Sequence, residues 1–200
     1  VLYEEVEEGS VPTPSRALER TRPVATSGDI ERAMALIANA ERPLLFAGGG
    51  AFFSGAAPEL EKFVDVTSIP FYTAPMSRGL VPEDHAVSFQ GARSTAMRES
   101  DVVLVVGTRM NWMMNYGQRF APNAKIIQID INEAELGHNR DVEMGIFGDA
   151  KAVMAQLLEL AQQRSPDFSG ALESPWIVGL REANEKRIAQ TAPLLNSDQT

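Results

Sequence analysis

Glycines, an arginine and two aspartates are the residues of this sequence that are best placed to do chemistry, and the chemistry they suit is nucleotide binding. Gly48-Gly49-Gly50-Ala51 follows the apolar run Pro43–Ala47, and Arg109 comes shortly after the run Val102–Val106. Glycines allow a tight turn whose N–H groups face an anion, and a guanidinium pairs bidentately with phosphate. Two simpler interpretations stay open: a strand-to-helix turn without a ligand, and a surface salt bridge for Arg109.

Acidic residues follow the next two apolar runs. Asp130-Ile131 ends one run, and Gly148-Asp149 follows the other. An acidic residue at the end of a strand commonly anchors ribose hydroxyls, so Asp130 suits a ribose and Asp149 suits an adenine or ribose. Alternatively, Asp130 caps a short helix over Glu133–Leu136, and Asp149 only caps the helix that it precedes.

Groups for catalysis are few. Phe53 stands where a dinucleotide fingerprint requires glycine, and no Gly-Lys-Ser/Thr follows the glycines as a P-loop would need. The two histidines, His85 and His138, have no evident Ser/Asp pairing or metal-ligand spacing, and Glu135 replaces the glycine of a calcium loop. We expect no metal site and no active site that works alone.

Composition excludes several classes of protein. The chain has 200 residues, a net charge of −9, 44% apolar residues and no cysteine. The acidic balance disfavours nucleic acid as a partner, and the absence of cysteine excludes disulfides and thiolate metal sites. No apolar run is long enough to span a bilayer, so we expect a cytoplasmic globular domain.

The elements that must position these residues alternate between strand and helix. The predicted strands are Pro43–Ala47, Ile69–Tyr72, Asp101–Val106, Lys125–Asp130 and Val142–Phe147. The first predicted helix is capped by Ser27. The later predicted helices cover about Ala56–Thr67, Ala92–Glu99, Ala150–Gln162 and Trp176–Ala189. This alternation predicts a doubly wound, mainly parallel α/β sheet. We divide the chain into a connector over residues 1–25, a Rossmann-like domain over 26–164, and a linker and helix over 165–200.

Several segments match motifs of one known family. They are Asn39-Ala40-Glu41-Arg42-Pro43-Leu44-Leu45, Gly79-Leu80-Val81-Pro82-Glu83-Asp84-His85, Gly107-Thr108-Arg109-Met110-Asn111-Trp112 and Gln128-Ile129-Asp130-Ile131. Over about Val24–Ala161 the chain resembles the central domain of thiamine-diphosphate-dependent enzymes. Arg109–Trp112 and Glu133–Asn139 are most similar to the 2-hydroxyacyl-CoA lyase and oxalyl-CoA decarboxylase branch. Residues 1–4 resemble the end of a preceding pyrimidine-binding domain.

The resemblance implies a six-stranded sheet with helices on both faces that binds ADP in this branch and FAD in acetolactate-synthase relatives. By motif match, Gly48–Ala51 approaches the phosphates, Arg109 pairs with them, Asp130-Ile131 meets the ribose, and Gly148-Asp149 borders the adenosine. The cleft for an acyl-CoA substrate is lined by Gln90, Gly91, Ala92, Arg93, Asn111 and Trp112. One departure is Gly49, where members that bind a nucleotide often carry lysine.

The resemblance also implies thiamine diphosphate and Mg²⁺, which need a Gly-Asp-Gly…Asn stretch and an activating glutamate that this chain lacks. We therefore expect other domains of a longer parent to bind both, and this fragment alone to be inactive. The parent would be a homodimer or homotetramer that cleaves or decarboxylates 2-hydroxyacyl-CoA or oxalyl-CoA-like substrates. The main alternative is a purely architectural or oligomerisation domain with an empty or FAD-type cleft. A free-standing NAD or flavin enzyme is a third interpretation.

Overall fold

Five short apolar segments pair into one parallel sheet. They are β1 (Pro43–Ala47), β2 (Phe71–Thr73), β3 (Val102–Val106), β4 (Lys125–Asp130) and β5 (Met144–Phe147), in the order β2-β1-β3-β4-β5. Every pair is parallel, and Leu45 of β1 lies between Phe71 and Leu104 in register. All residues of β3 are buried, as expected of a strand covered on both faces. The predicted α/β class and each predicted strand are confirmed.

These facts come from a computed structural model that describes residues 21–195 together with residues 7 and 9. Within that part the sheet has five strands, whereas the family resemblance implied six. The five apolar runs that the sequence analysis took as strands correspond to these five strands. Most of the predicted connector over residues 1–25 lies outside the described residues, and the domain boundaries stay predictions.

Six α-helices accompany the strands within the described residues. They are α1 (Ser27–Ala38), α2 (Gly49–Ser54), α3 (Ala57–Thr67), α4 (Arg93–Glu99), α5 (Ala150–Gln163) and α6 (Pro175–Leu195). The sequence did not predict α2, because Gly49 and Gly50 in its first turn are poor helix formers. Thr26 rather than Ser27 caps α1, since its hydroxyl accepts from the N–H of Asp29 at 3.2 Å.

The helices cover the sheet with apolar faces. Helix α5 packs against both α1 and α3, and the inward residues Val153, Met154 and Leu157 are fully buried. The first turns of α6 also join the core, because Trp176 is buried and its Nε1 donates to the carbonyl oxygen of Pro43 at 3.0 Å. Among the described residues, no helix has the length and apolar content to cross a membrane.

Candidate functional site

Loops that leave four of the strands lie side by side at the carboxyl edge of the sheet. The N–H of Gly48, after β1, donates to the carbonyl oxygen of Val106 at 2.9 Å. The N–H of Gly107, after β3, donates to Ile129 at 2.8 Å, and that of Gly148, after β5, donates to Asp130 at 3.0 Å. The glycine loop, the segment that carries Arg109, and both predicted aspartates therefore share one rim, which is where ligands bind in open α/β sheets.

The glycine loop is packed directly against the loop that follows β3. The N–H of Gly50 donates to the carbonyl oxygen of Gly107 at 2.9 Å, and the N–H of Ala51 donates to Gly48 at 3.0 Å. A Cβ atom on Gly48 would lie 2.5 Å from the carbonyl oxygen of Gly107, and one on Gly50 would lie 2.8 Å from the Cα of Gly107. Close packing of two backbones thus explains Gly48 and Gly50 without any ligand.

Gly49 differs from its neighbours in that loop. Its N–H donates to no acceptor among the described residues, and a Cβ there would meet only Met76, at an ordinary 3.7 Å. Gly49 is consequently the position in Gly48–Ala51 where an anion can still reach an N–H group and where a side chain fits.

Arg109 is two-thirds exposed and pairs with Glu135, whose Oε1 lies 3.2 Å from the arginine Nε. This geometry agrees with one of the two interpretations of Arg109 in the sequence analysis, namely a surface salt bridge. Exposed pairs of this kind contribute about 0–1 kcal/mol, so an incoming phosphate can compete for the guanidinium.

Asp130 is buried at the end of β4, with 8% of its surface exposed. Burial raises the pKa of its carboxyl above the ordinary value, and the charge of Glu135 adds to this, while the N–H of Asn132 and the charge of Arg109 act against it. Only Oδ1 has a donor within the described residues, namely the N–H of Asn132 at 2.9 Å. The remaining oxygen suits a ligand hydroxyl, which donates a hydrogen bond.

The predicted helix cap by Asp130 is wrong. The short helical turn Glu133–Glu135 is capped by Asn132, whose side chain accepts from the N–H of Ala134 at 3.2 Å. Asn132 stands directly before the turn, whereas Asp130 is still part of β4 and binds the intervening backbone instead.

Asp149 already has several protein partners. Its Oδ1 accepts from the N–H of Ala152 at 3.1 Å, from the Ser54 hydroxyl at 2.9 Å and from Arg22 Nη1 at 2.7 Å. Burial alone would raise the pKa of Asp149, but these hydrogen bonds outweigh burial and hold it below the ordinary value. The predicted cap of α5 is confirmed, and a ligand at Gly148-Asp149 would have to share this carboxylate.

The stretch predicted to line an acyl-CoA cleft is divided between two environments. Gln90–Ala92 forms a 3₁₀ turn under α6, where the N–H of Gly91 donates to Asn184 Oδ1 at 2.7 Å. Arg93 instead points to the end of β2, with Nη1 2.9 Å from the carbonyl oxygen of Thr73 and its guanidinium 5.1 Å from the ring centre of Phe46. Burial lowers the pKa of Arg93.

The other predicted cleft residues belong to the 111–117 loop, which follows β3. Asn111 is half-buried and its side chain accepts from the N–H of Met113 at 3.0 Å, whereas Trp112 is 73% exposed. Asn115 and Tyr116 both have positive φ, at 48° and 54°, which costs of order 1 kcal/mol or more for such residues. No hydrogen bond among the described residues joins this loop to Gln90–Arg93.

Two residues that the sequence did not single out hold this strained loop and the adjacent turn in place. Arg140 donates from Nη1 to the carbonyl oxygen of Gly117 at 2.6 Å and from Nη2 to that of Ala121 at 2.5 Å. Gln128, fully buried within β4, bonds the backbone of Glu135 and Gly137 at 2.9 and 3.0 Å. A polar residue inside an otherwise apolar strand was the available signal for Gln128; the sequence carries none for Arg140.

His85 does have an acidic partner, contrary to our prediction. Its Nε2 lies 3.1 Å from Asp65 Oδ1, and its Nδ1 accepts from the N–H of Val87 at 3.3 Å. Asp65 belongs to α3, 20 positions earlier in the chain, so spacing in the sequence gave no hint of the pair. It lies away from the rim and fixes the loop that leads to the 3₁₀ turn Gln90–Ala92.

The described residues do not fit a magnesium diphosphate. They contain no group of three or more His, Cys, Asp or Glu side chains that could hold a metal ion, and the donors at the rim are one arginine, backbone N–H groups and two aspartates. The fold and the rim together define a parallel α/β domain whose described residues include no cluster of metal ligands.

Comparison with known proteins places the domain in a family. The family model for the central domain of thiamine pyrophosphate enzymes matches residues 30–157, and the chain belongs to this family. It is 40% identical over 158 residues to 2-hydroxyacyl-CoA lyase of Arabidopsis thaliana, covering 78% of this chain and 26% of that protein. It is 37% identical over 135 residues to oxalyl-CoA decarboxylase of Escherichia coli, covering 66% and 24%.

The chain thus spans about a quarter of the length of the curated relatives it matches. An X-ray structure described as a thiamin diphosphate-dependent enzyme from Mycobacterium smegmatis superimposes with a TM-score of 0.54 at 20% identity, covering 76% of this chain and 30% of that one. This likeness concerns the fold alone. The family predicted from the sequence motifs, and its relation to the lyase and decarboxylase branch, are confirmed.

Proposed function

We propose that the carboxyl rim binds an adenine nucleotide of the ADP type, as a scaffold or an activator. The observation that carries the proposal is that the loops after β1, β3, β4 and β5 are adjacent. The first residue after β1, β3 and β5 donates its N–H to the end of the neighbouring strand in each case. Gly49 would offer its N–H to a phosphate, Arg109 its guanidinium, and Asp130 its free oxygen to a ribose hydroxyl. Ile131 and Gly148-Asp149 would border the ring. FAD is a less favoured ligand of the same rim.

We further propose that the parent enzyme is a thiamine-diphosphate- and Mg²⁺-dependent lyase or decarboxylase of 2-hydroxyacyl-CoA or oxalyl-CoA-like substrates. The support is the similarity to proteins that bear those names. Thiamine diphosphate supplies an electron sink for breaking or making a carbon–carbon bond next to a carbonyl. In this proposal the described residues act as scaffold, while flanking domains and a second subunit hold that cofactor and acyl-CoA.

Calorimetric titration tests nucleotide binding directly. We expect ADP to bind and Asp130→Asn to weaken that binding about tenfold or more, because a hydrogen bond to a charged group contributes about 1.5–3 kcal/mol. Gly49→Lys should tighten ADP binding, since a side chain fits there and adds a cation near the phosphates. FAD, NAD and CoA are titrated alongside to define specificity.

Matched variants distinguish site effects from general charge effects. Asp141→Asn removes an exposed carboxylate elsewhere, and Gly179→Lys adds a cation on α6 where the space is open. Neither should change the affinity for ADP by more than about twofold. Absence of heat with every nucleotide on folded protein would contradict the proposal, as would equal affinities for the Asp130→Asn and Asp141→Asn variants.

A purely architectural domain is the second candidate function, and one observation favours it. Arg109 is paired with Glu135, and Asp149 with Arg22, so two of the groups assigned to the nucleotide already have protein partners. In that case ADP would fail to bind, because the cleft would be empty or of the FAD type, while the domain would still contribute to a dimer or tetramer of the parent. Sedimentation of the folded chain with and without ADP separates the two candidates.

A further inference from the structure

A cavity of about 470 Å³ opens at the opposite edge of the sheet, by the amino ends of β3 and β4. One wall is a second face of α1, formed by Arg32, Ala35, Leu36 and Asn39 at helical spacing. This face is distinct from the one that α1 turns to the core, which carries Ile30, Ala33, Met34 and Ile37. The volume lies within the range of small-molecule sites.

Some polar groups of this amino-end cavity already have protein partners, and others do not. The carboxylate of Asp101 accepts from the N–H groups of Glu41 and Arg42, both at 2.9 Å, so protein donors already satisfy both oxygens. Lys125 has no carboxylate within 4 Å among the described residues, and Arg32 reaches Asp29 only at 3.7 Å. Two cations therefore remain available to a ligand.

The remaining lining is part apolar and part polar. Leu36, Ala40 and Val102 are apolar, and Asn123, whose side chain has no hydrogen-bond partner within the described residues, lines the same cavity. Glu143 is the opposing charge, but it is exposed and water screens it.

We propose that the amino-end cavity binds a small organic carboxylate with a short apolar chain. The carboxylate would pair with Lys125 and Arg32 and accept from Asn123, while the chain would lie against Leu36 and Val102. Binding here is independent of the nucleotide rim, because the two sites lie at opposite ends of the strands.

Hexanoate is the probe for the test, followed by amide NMR signals of the ¹⁵N-labelled chain. We expect saturable shifts at Leu36, Val102 and Lys125 with a millimolar Kd, as befits a ligand of this size. Lys125→Met should weaken binding about fivefold or more, and Glu143→Gln should tighten it. Both side chains are exposed, so neither variant is expected to unfold.

Controls address charge and apolar contact separately. Lys186→Met removes an exposed cation on α6 and should leave the affinity for hexanoate unchanged. Hexylammonium and inorganic phosphate should not shift the same signals, because one has the wrong charge and the other lacks the chain. The proposal is overturned if hexanoate shifts nothing, if hexylammonium or phosphate acts equally, or if Lys125→Met and Lys186→Met behave alike.

Discussion

The pKa values of two aspartates on the same rim are shifted in opposite directions, because the aspartates differ both in burial and in their hydrogen-bond donors. Asp130 is buried, and burial raises its pKa more than the N–H groups of Asn132 and Ile131 lower it. Asp149 accepts three hydrogen bonds, one of them from a guanidinium, and these lower its pKa despite burial. Asp149 is therefore a carboxylate with a structural role, whereas Asp130 has fewer protein donors that would compete with a ligand.

Replacing Asp149 should destabilise the fold in a manner that depends on pH. Asp149→Ala removes the cap of α5 and the partner of Arg22, and we expect the free energy of unfolding to fall by about 1–2 kcal/mol. Because its pKa is lower in the folded state, the charge stabilises above the unfolded-state pKa of about 4 and is lost as pH falls through the folded pKa. Urea denaturation at neutral and acidic pH measures both effects.

Asp149→Asn isolates the charge, since asparagine is also a good cap. This variant should keep most of the stability at neutral pH but lose less of it than the wild-type protein on acidification. Asp141→Ala, at an exposed position, is expected to stay within about 0.5 kcal/mol of wild type. Identical acid profiles for the wild-type protein and Asp149→Asn would contradict the assignment.

At the residue scale, the sequence analysis identified residues that directly follow strands. It did not identify residues whose partners are far away in the chain. Asp130 and Gly48–Ala51 were found because they directly follow apolar runs. Arg140 was not found, because its partners lie 19–23 positions earlier and are main-chain carbonyls of no particular residue type. Such a contact depends on how two loops pack against each other, and the local sequence pattern does not predict that packing.

At the scale of elements, the 111–117 loop is the part of the rim that carries backbone strain. Asn115 and Tyr116 have left-handed dihedral angles, and such angles persist only where surrounding contacts impose them. The carbonyl bonds from Arg140 and a bond from Asn139 Nδ2 to the carbonyl oxygen of Met110 at 3.1 Å supply those contacts. Trp112, at the start of this loop, is exposed to solvent.

Removing the guanidinium should loosen this loop. Arg140→Met keeps much of the side-chain volume but removes the charged donor of the carbonyls of Gly117 and Ala121, which then keep only the N–H groups of Phe120 and Ala124. We expect a loss of about 1.5–3 kcal/mol. Arg140→Lys should not restore it, because lysine cannot donate in a planar fork. Hydrogen exchange at Met114, Tyr116 and Gln118 should accelerate in both variants.

Arg119→Met serves as the control for this prediction. Arg119 is an exposed cation close to the same loop, and its removal should leave exchange at those amides unchanged. If Arg140→Met and Arg119→Met gave the same exchange rates, the loop would owe its conformation to other contacts.

Helix α2 shows where element prediction fails. Glycines at 49 and 50 weaken any local preference for helix, so the sequence predicted a turn up to Ala56. In the structure Gly48 and Gly50 bond to the neighbouring strand and loop, and the helix starts directly after β1. Tertiary contact between backbones, rather than local propensity, decides this element, whereas α5 formed as expected from its own apolar face.

At the scale of the whole molecule, the proposal makes this domain a scaffold that does not cleave bonds by itself. We expect the 200-residue chain, given thiamine diphosphate and Mg²⁺, to show no turnover of oxalyl-CoA or a 2-hydroxyacyl-CoA above a blank without protein. The reason is the absence of a metal-binding group among the described residues and of a Gly-Asp-Gly…Asn stretch in the sequence.

The measurement is chromatographic detection of CoA products, with circular dichroism on the same sample to establish that it is folded. Turnover by folded chain would contradict the assignment of this domain as scaffold. A parent enzyme that contains this segment should be active under the same conditions, which provides the positive control.

The contact between Gly50 and Gly107 has a consequence for how such a protein changes over generations. Neither position tolerates even a methyl group unless the opposing main chain retreats, since the added atom would sit 2.8 Å or less from it on either side. A substitution at one of these positions therefore cannot be compensated by a smaller residue at the other, because the other residue is already glycine, the smallest one. A lineage can abandon this pair only by rebuilding both loops at once, while Gly49 between them is free to drift.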